Sequence, residues 1–129
     1  MKKLILFFLV MTILTACGKE SSKKENESES PSDSLTSLFE HASNNEYSNM
    51  EQYISTNILN AMESNGYGMN AYAADITDNG SIESIEVLSE EIKGEGATIK
   101  YKEIYTDGSE KDNIVSLTKE DKNWKVSPQ

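Results

Sequence analysis

The stretch from Ala97 to Tyr105 sets the fold. Ala97, Ile99, Tyr101 and Tyr105 alternate with Thr98, Lys100 and Lys102, the period of a strand with one face buried. Asp107-Gly108 follows, a pairing favoured in tight hairpin turns. Next come Ile114-Val115-Ser116-Leu117-Thr118, a polar turn at Asp121-Lys122-Asn123, and Trp124-Lys125-Val126. The order reads as an antiparallel meander. Trp124 is the largest single contributor of buried surface in it, and it and Val126 are expected to face inward together.

Residues 82–92 fit two periods. Ile85 and Val87 alternate as in a strand, yet Ile82, Ile85, Leu88 and Ile92 also trace a helical stripe. The meander that follows favours the strand.

The half before it is helical. Leu35, Leu38, Phe39 and Ala42 fall at i, i+3, i+4 and i+7, and Ser32, Asp33 and Ser34 offer capping oxygens ahead of them. Asn44-Asn45 ends this helix. A second amphipathic stretch carries Met50, Tyr53, Ile54, Ala61 and Met62, with a break expected near Ser55-Thr56-Asn57, three poor helix formers. Asn65-Gly66 is a good helix terminator. A short third helix with Tyr67, Met69 and Tyr72 is the further possibility. The fold class is therefore α+β, with two or three helices on a curved antiparallel sheet of about four strands.

The first sixteen residues have another purpose. Lys2 and Lys3 precede an apolar run over 4–14, then Leu14-Thr15-Ala16-Cys17, the layout of a cleaved export signal. The run is too short to span a bilayer, which takes ~20 apolar residues. Its ending resembles the lipobox of bacterial lipoproteins. That resemblance implies cleavage between Ala16 and Cys17, lipid on the Cys17 sulfur, and residence on the outer face of the cytoplasmic membrane. Cys17 is the only cysteine, so no disulfide can staple the domain.

Residues 18–33 contain no aliphatic or aromatic side chain. Such a segment cannot bury enough surface to offset its ordering entropy, and it reads as a disordered tether. Its coil reach is roughly 20–25 Å. The domain organisation is then a signal over 1–16, a lipidated cysteine with tether over 17–33, and one α+β domain over 34–129.

Charge limits the partners. There are 12 basic residues, all lysine, against 22 acids. Without Lys2 and Lys3 the balance is ten against 22, a net of −12. Phosphate backbones and anionic head groups repel such a surface, so nucleic acid is not an expected partner. Lipid must hold the chain to the bilayer, and two acyl chains suffice for that. Lysine for every basic position, with abundant Asn, Glu, Ser and Ile, resembles the usage of AT-rich Gram-positive bacteria.

A wider resemblance rests on Glu90-Glu91-Ile92-Lys93-Gly94, Ala97-Thr98-Ile99, Asp107-Gly108 and Asn123-Trp124-Lys125-Val126. In this order, after helices, they resemble a family of small bacterial lipoproteins with an uncharacterised domain. That domain is similar to the nuclear-transport-factor-2 or cystatin-like α+β cone. The resemblance covers about residues 35–126 and implies the fold; it carries no catalytic residues. The family's usual glycine in the last turn is replaced by Asn123, which tolerates left-handed backbone.

Two constellations merit testing. Asp75, Asn79 and Glu86 sit at positions 1, 5 and 12 of an EF-hand pattern, with Gly80 at position 6. That calcium reading needs an exit helix where a strand is expected, and the plainer reading is an Asn-Gly turn. Enzymes on the cone fold place acids or His–Asp pairs between helices and sheet, where His41, Asp75, Tyr101 and Glu103 would be candidates. His41, the only histidine, reads as a partly exposed flank residue of the first helix. Glu103 falls on the inward register of its strand, where an unpaired carboxylate is costly; a strand end or bulge reaching water would explain it. The sequence holds no phosphate loop, cysteine nucleophile or zinc cluster, and no cofactor is expected.

The leading expectation is a membrane-anchored, non-enzymatic module for an envelope protein or a small ligand. The alternative is a small-molecule pocket protein or enzyme on the same scaffold. A deep cavity with a paired acid and base would favour the second, a filled cone the first.

Overall fold

The computed structural model describes residues 29–129. The export signal, Cys17 and most of the tether lie outside the described residues.

Helix α1 spans Pro31–Ser43. Ser30 caps it: its hydroxyl accepts from the Asp33 amide at 3.1 Å, and the Asp33 carboxylate accepts from the Ser30 amide at 3.3 Å. Pro31 occupies the first turn, where a missing N–H costs nothing. The cap is thus Ser30, and Ser32, Asp33 and Ser34 lie inside the helix rather than ahead of it. The first helix accordingly starts at Pro31, ahead of the boundary expected at Ser34. Glu90 of the sheet adds a long-range tie, accepting from both the amide and the hydroxyl of Ser32 at 2.8 Å each. The stripe Leu35, Leu38, Phe39 and Ala42 is buried, and Asn45 turns the chain out of the helix at φ 59°.

The second helical stretch is cut twice. Helix α2 (Tyr47–Met50) runs into a 3-10 turn, Glu51–Tyr53, and then Ile54 is extended. Ile54 forms a parallel bridge to Val126, whose carbonyl accepts from the Ser55 amide at 2.8 Å. Ser55 then caps α3, Thr56–Ser64, as the break in helix formers suggests. Asn65-Gly66 ends α3, and α4 follows at Met69–Ile76. Among the described residues four helices form instead of two or three, because Ile54 leaves its helix to cover the last strand.

The sheet is antiparallel in the order β1 (Ile82–Lys93), β2 (Gly96–Tyr105), β3 (Glu110–Glu120), β4 (Asn123–Ser127). Residues 82–92 are strand, and two register shifts explain their double periodicity. Ile82, Ile85, Val87, Glu90 and Ile92 lie opposite Tyr105, Glu103, Tyr101, Ile99 and Ala97. The resulting spacing of three, two, three and two takes in Ile82, Ile85 and Ile92 of the helical stripe, whereas Leu88 falls in the second shift and is exposed. Such bulges bend a strand and raise its twist, which lets the sheet curve round the helices.

The hairpin turns follow the local chemistry. Gly108 takes φ 84° in the loop between β2 and β3. In the last turn the left-handed positions belong to Asp121 (φ 50°) and Lys122 (φ 68°). Asn123 is already the first residue of β4, so it does not fill the glycine position assigned to it.

Between the layers sits one core. Met50, Ile54 and Ile99 are wholly buried, with Leu38 and Leu117 nearly so. Trp124 and Val126 join them. Val126 pairs with Leu117 and Trp124 with Lys119, whose ammonium lies 5.5 Å from the indole centroid.

Candidate functional site

Helices and the concave face of the sheet enclose the space where a cone-shaped domain could hold a ligand. Here side chains fill it. A void of ≈ 70 Å³ remains, bordered by Leu35, Phe39, Tyr72, Ile76, Tyr101 and Val115 among others. Small-molecule sites usually offer ~300–1,000 Å³. The void is a packing gap rather than a pocket.

Glu103 lies on the inward register of β2 beside this gap and is 7% exposed. No bulge or fraying delivers it to water, contrary to the sequence expectation. Instead the Tyr105 hydroxyl donates to one carboxylate oxygen at 2.9 Å and the Asn113 side-chain amide to the other at 3.0 Å. Asn113 arrives because β3 pairs it with Tyr101, the inward neighbour of Glu103 two residues back. Charge-assisted bonds of this kind are what make a buried carboxylate tolerable.

The surrounding phenols are held protonated. Burial first, then the charge of Glu103, pushes Tyr101 up to about 12. Burial likewise pushes Tyr72 on α4 up to about 12. Tyr105 is raised by its hydrogen bond to Glu103, and Tyr67 by its hydrogen bond to Asp75. These phenols are donors at neutral pH, not bases. No buried side-chain nitrogen or oxygen among the described residues lacks a hydrogen-bond partner. The group is a satisfied polar network closing the end of the core.

The four catalytic candidates do not converge as a set. Tyr101 and Glu103 share the network. Asp75 sits on α4 and accepts from the Tyr67 hydroxyl. His41 is occupied at the other end of α1, its Nδ1 2.5 Å from the Glu46 carboxylate and its ring stacked on Tyr53 with centroids 5.7 Å apart. Histidine and buried glutamate therefore have separate partners, and no acid–base pair forms across the cone.

The calcium pattern also comes apart. Asp75 belongs to α4, Asn79 to the following turn at φ 54°, and Glu86 to β1 opposite Lys102. The exit helix that an EF-hand requires is replaced by a strand, so the EF-hand reading of Asp75, Asn79 and Glu86 is overturned. Among the described residues no group of three His, Cys, Asp or Glu side chains is placed to hold a metal ion.

Sequence reasoning missed Asn113, Tyr105 and Glu46 as partners of the candidate residues. The first could have been found by counting the β2–β3 register back from Asp107-Gly108. The Glu46 contact depends on the chain reversal after α1, which leaves no periodic mark.

No family model matches the chain, and no curated protein sequence matches it. A crystal structure from Campylobacter jejuni, described as a "putative NTF2-like transpeptidase", is similar in fold with a TM-score of 0.57. It shares 16% sequence identity over 78% of this chain and 100% of that one. At that identity the likeness shows the fold alone. The fold is NTF2-like, four helices against an open four-stranded antiparallel sheet.

Proposed function

We propose that this chain is a lipid-anchored, extracytoplasmic binding module and not an enzyme. The observation that carries the reading is the filled cone: ≈ 70 Å³ of void beside a carboxylate already bonded by Tyr105 and Asn113. Catalysis by general acid and base needs a proton-transfer group within reach of a bound substrate, and this interior leaves no room for one. The anchor is Cys17, through which the tether holds the domain near the membrane. No helix of the described residues is long and apolar enough to cross a membrane.

The neighbouring structure's transpeptidase label favours the enzyme alternative. Acyl transfer needs an activated nucleophile. Cys17 is the sole cysteine and is assigned to lipid, while His41 is engaged by Glu46 and Tyr53. Those commitments support the binding reading over the catalytic one.

Two measurements test it. In membrane fractionation, the parent should sediment with membranes and Cys17→Ser should be released or remain as uncleaved precursor. A Cys17→Ser protein that is cut normally and still sediments sinks the anchor. Titration with a neutral apolar dye should leave native Trp124 emission unchanged. Saturable quenching would reveal an open cone and revive the pocket protein.

A further inference from the structure

A shallow groove lies outside the cone, where the C-terminal end of α1, the start of α2, one side of α4 and the turn into β1 meet. Its volume is ≈ 450 Å³, within the range of small-ligand sites and several times that of the gap inside the cone. Ala42 and Ala73, both buried, form its floor. The exposed amides of Asn45, Asn70 and Asn79 and the hydroxyl of Ser43 stand round it, with the half-buried ring of Tyr47 beside them.

The chemistry of that lining selects a ligand class. The Tyr47 hydroxyl donates to Asn45 Oδ1 at 2.9 Å, leaving the Asn45 amide hydrogens free of that bond. The side-chain amides of Asn70 and Asn79 make no hydrogen bond among the described residues. An amide both donates and accepts, as does an alcohol, so three amides and a serine complement a ligand bearing several hydroxyls. No lysine lines the groove, which disfavours an anion, and Glu83 is its only carboxylate in a chain with 22 acids. The ring of Tyr47 offers an apolar face with a polar tip, suited to the C–H face of a pyranose.

We propose that this groove binds a neutral saccharide. The proposal names a ligand for the binding module and rests on that reading. Its place in the fold agrees with the anchor. The thirteen residues of α1 extend ~20 Å and separate the groove from Ser30, where the tether joins. The groove thus opens at the end of the domain remote from its attachment. Glycan strands outside the membrane and free sugars share the required chemistry.

The test is calorimetric titration of the full-length lipidated protein in detergent micelles. The probes are chitotetraose, maltotetraose, free N-acetylglucosamine and a neutral N-acetylated alanine tetrapeptide amide. Saturable binding of a saccharide is expected. Asn70→Ala should weaken it roughly five-fold, the worth of about one neutral hydrogen bond. Ser43→Leu, which pushes an isobutyl group into the groove, should abolish it at an unchanged melting temperature. Tighter binding of a tetrasaccharide than of N-acetylglucosamine identifies a glycan chain as the source, and equal binding identifies a free sugar. No saccharide binding by the folded parent, binding indifferent to both variants, or preference for the peptide overturns the proposal. Neither fractionation of Cys17→Ser nor dye exclusion from the cone depends on this result, so the two readings fail separately.

Discussion

Replacing Trp124 by alanine should remove a large part of the domain's stability, and the size of the loss can be worked from its surroundings. The residue is 5% exposed and belongs to the cluster containing Leu38, Ile54, Leu117 and Val126. A buried aromatic removes ~150–250 Å² from water. At ~25 cal/mol per Å² that is about 4–6 kcal/mol, an upper figure because the unfolded chain also hides some surface. Measured truncations of buried Phe and Trp cost ~3–5 kcal/mol. A domain of this size possesses ~5–15 kcal/mol in total, and no disulfide holds a reserve. Each kcal/mol moves the melting temperature by ~4–8 °C at this length, so the fall should be at least about 12 °C. Lys119→Met, which removes only the ammonium over the indole, should cost about 0.5–1 kcal/mol. Thermal melts followed by circular dichroism measure all three proteins, and native Trp124 emission should be blue-shifted and move red on denaturation. If Trp124→Ala melts within a few degrees of the parent, or emission is already that of exposed indole, the packing argument is wrong.

Three further outcomes follow from individual contacts. Tyr72 and Tyr101 hold protons more tightly folded than unfolded, so between pH 10 and about 12 the native state binds more protons. Their contribution is fully present below pH ~10 and is lost as pH rises through their folded values; tyrosinate absorbance should appear with unfolding, and Tyr101→Phe should flatten the alkaline fall. Ser55→Ala removes the hydroxyl that accepts from the Ile58 amide at 3.4 Å and should cost about 1 kcal/mol in urea denaturation, whereas an unchanged midpoint would show that the Glu120 carboxylate, which accepts from the Thr56 amide and hydroxyl at 3.1 Å, already holds that turn. Glu103→Ala should cost about 2 kcal/mol by losing charge-assisted acceptors for Tyr105 and Asn113, and Glu103→Gln less, because one acceptor survives; equal losses would mean that the hydrogen bonds contribute nothing.

Much of the fold can be read from single residues. The stripe from Leu35 to Ala42, the break near Ser55 and the alternation after Ala97 each impose or interrupt a local period, and each appears as read. The helix start at Ser30 was hidden because Ser-Pro-Ser-Asp is as good a tether as it is a capping box, and only packing against Glu90, 58 residues on from Ser32, selects between them. Ile54 fits a helical stripe by its own neighbours, yet the edge of β4 draws it into a bridge. The network round Glu103 depends on strand register, and the groove draws its lining from loop residues such as Asn45 and Asn79. Neither leaves a periodic trace. Sites assembled from turns are therefore the part of this chain that composition and spacing do not reveal.

The bond between Glu90 and Ser32 also has a mechanical side. Any tension arriving along the chain from the N-terminal side enters the domain at Ser30 and meets the first turn of α1. There the capping box closes the turn, and the two Glu90 contacts fasten it to the C-terminal part of β1. Load applied at Ser30 and resisted at the groove would run along the axis of α1, stretching its intrahelical hydrogen bonds in series. Part of that load passes through the Ser32–Glu90 contacts into β1, so the first turn of α1 and the sheet share it. Glu90→Ala should lower the rupture force at Ser30 in single-molecule pulling.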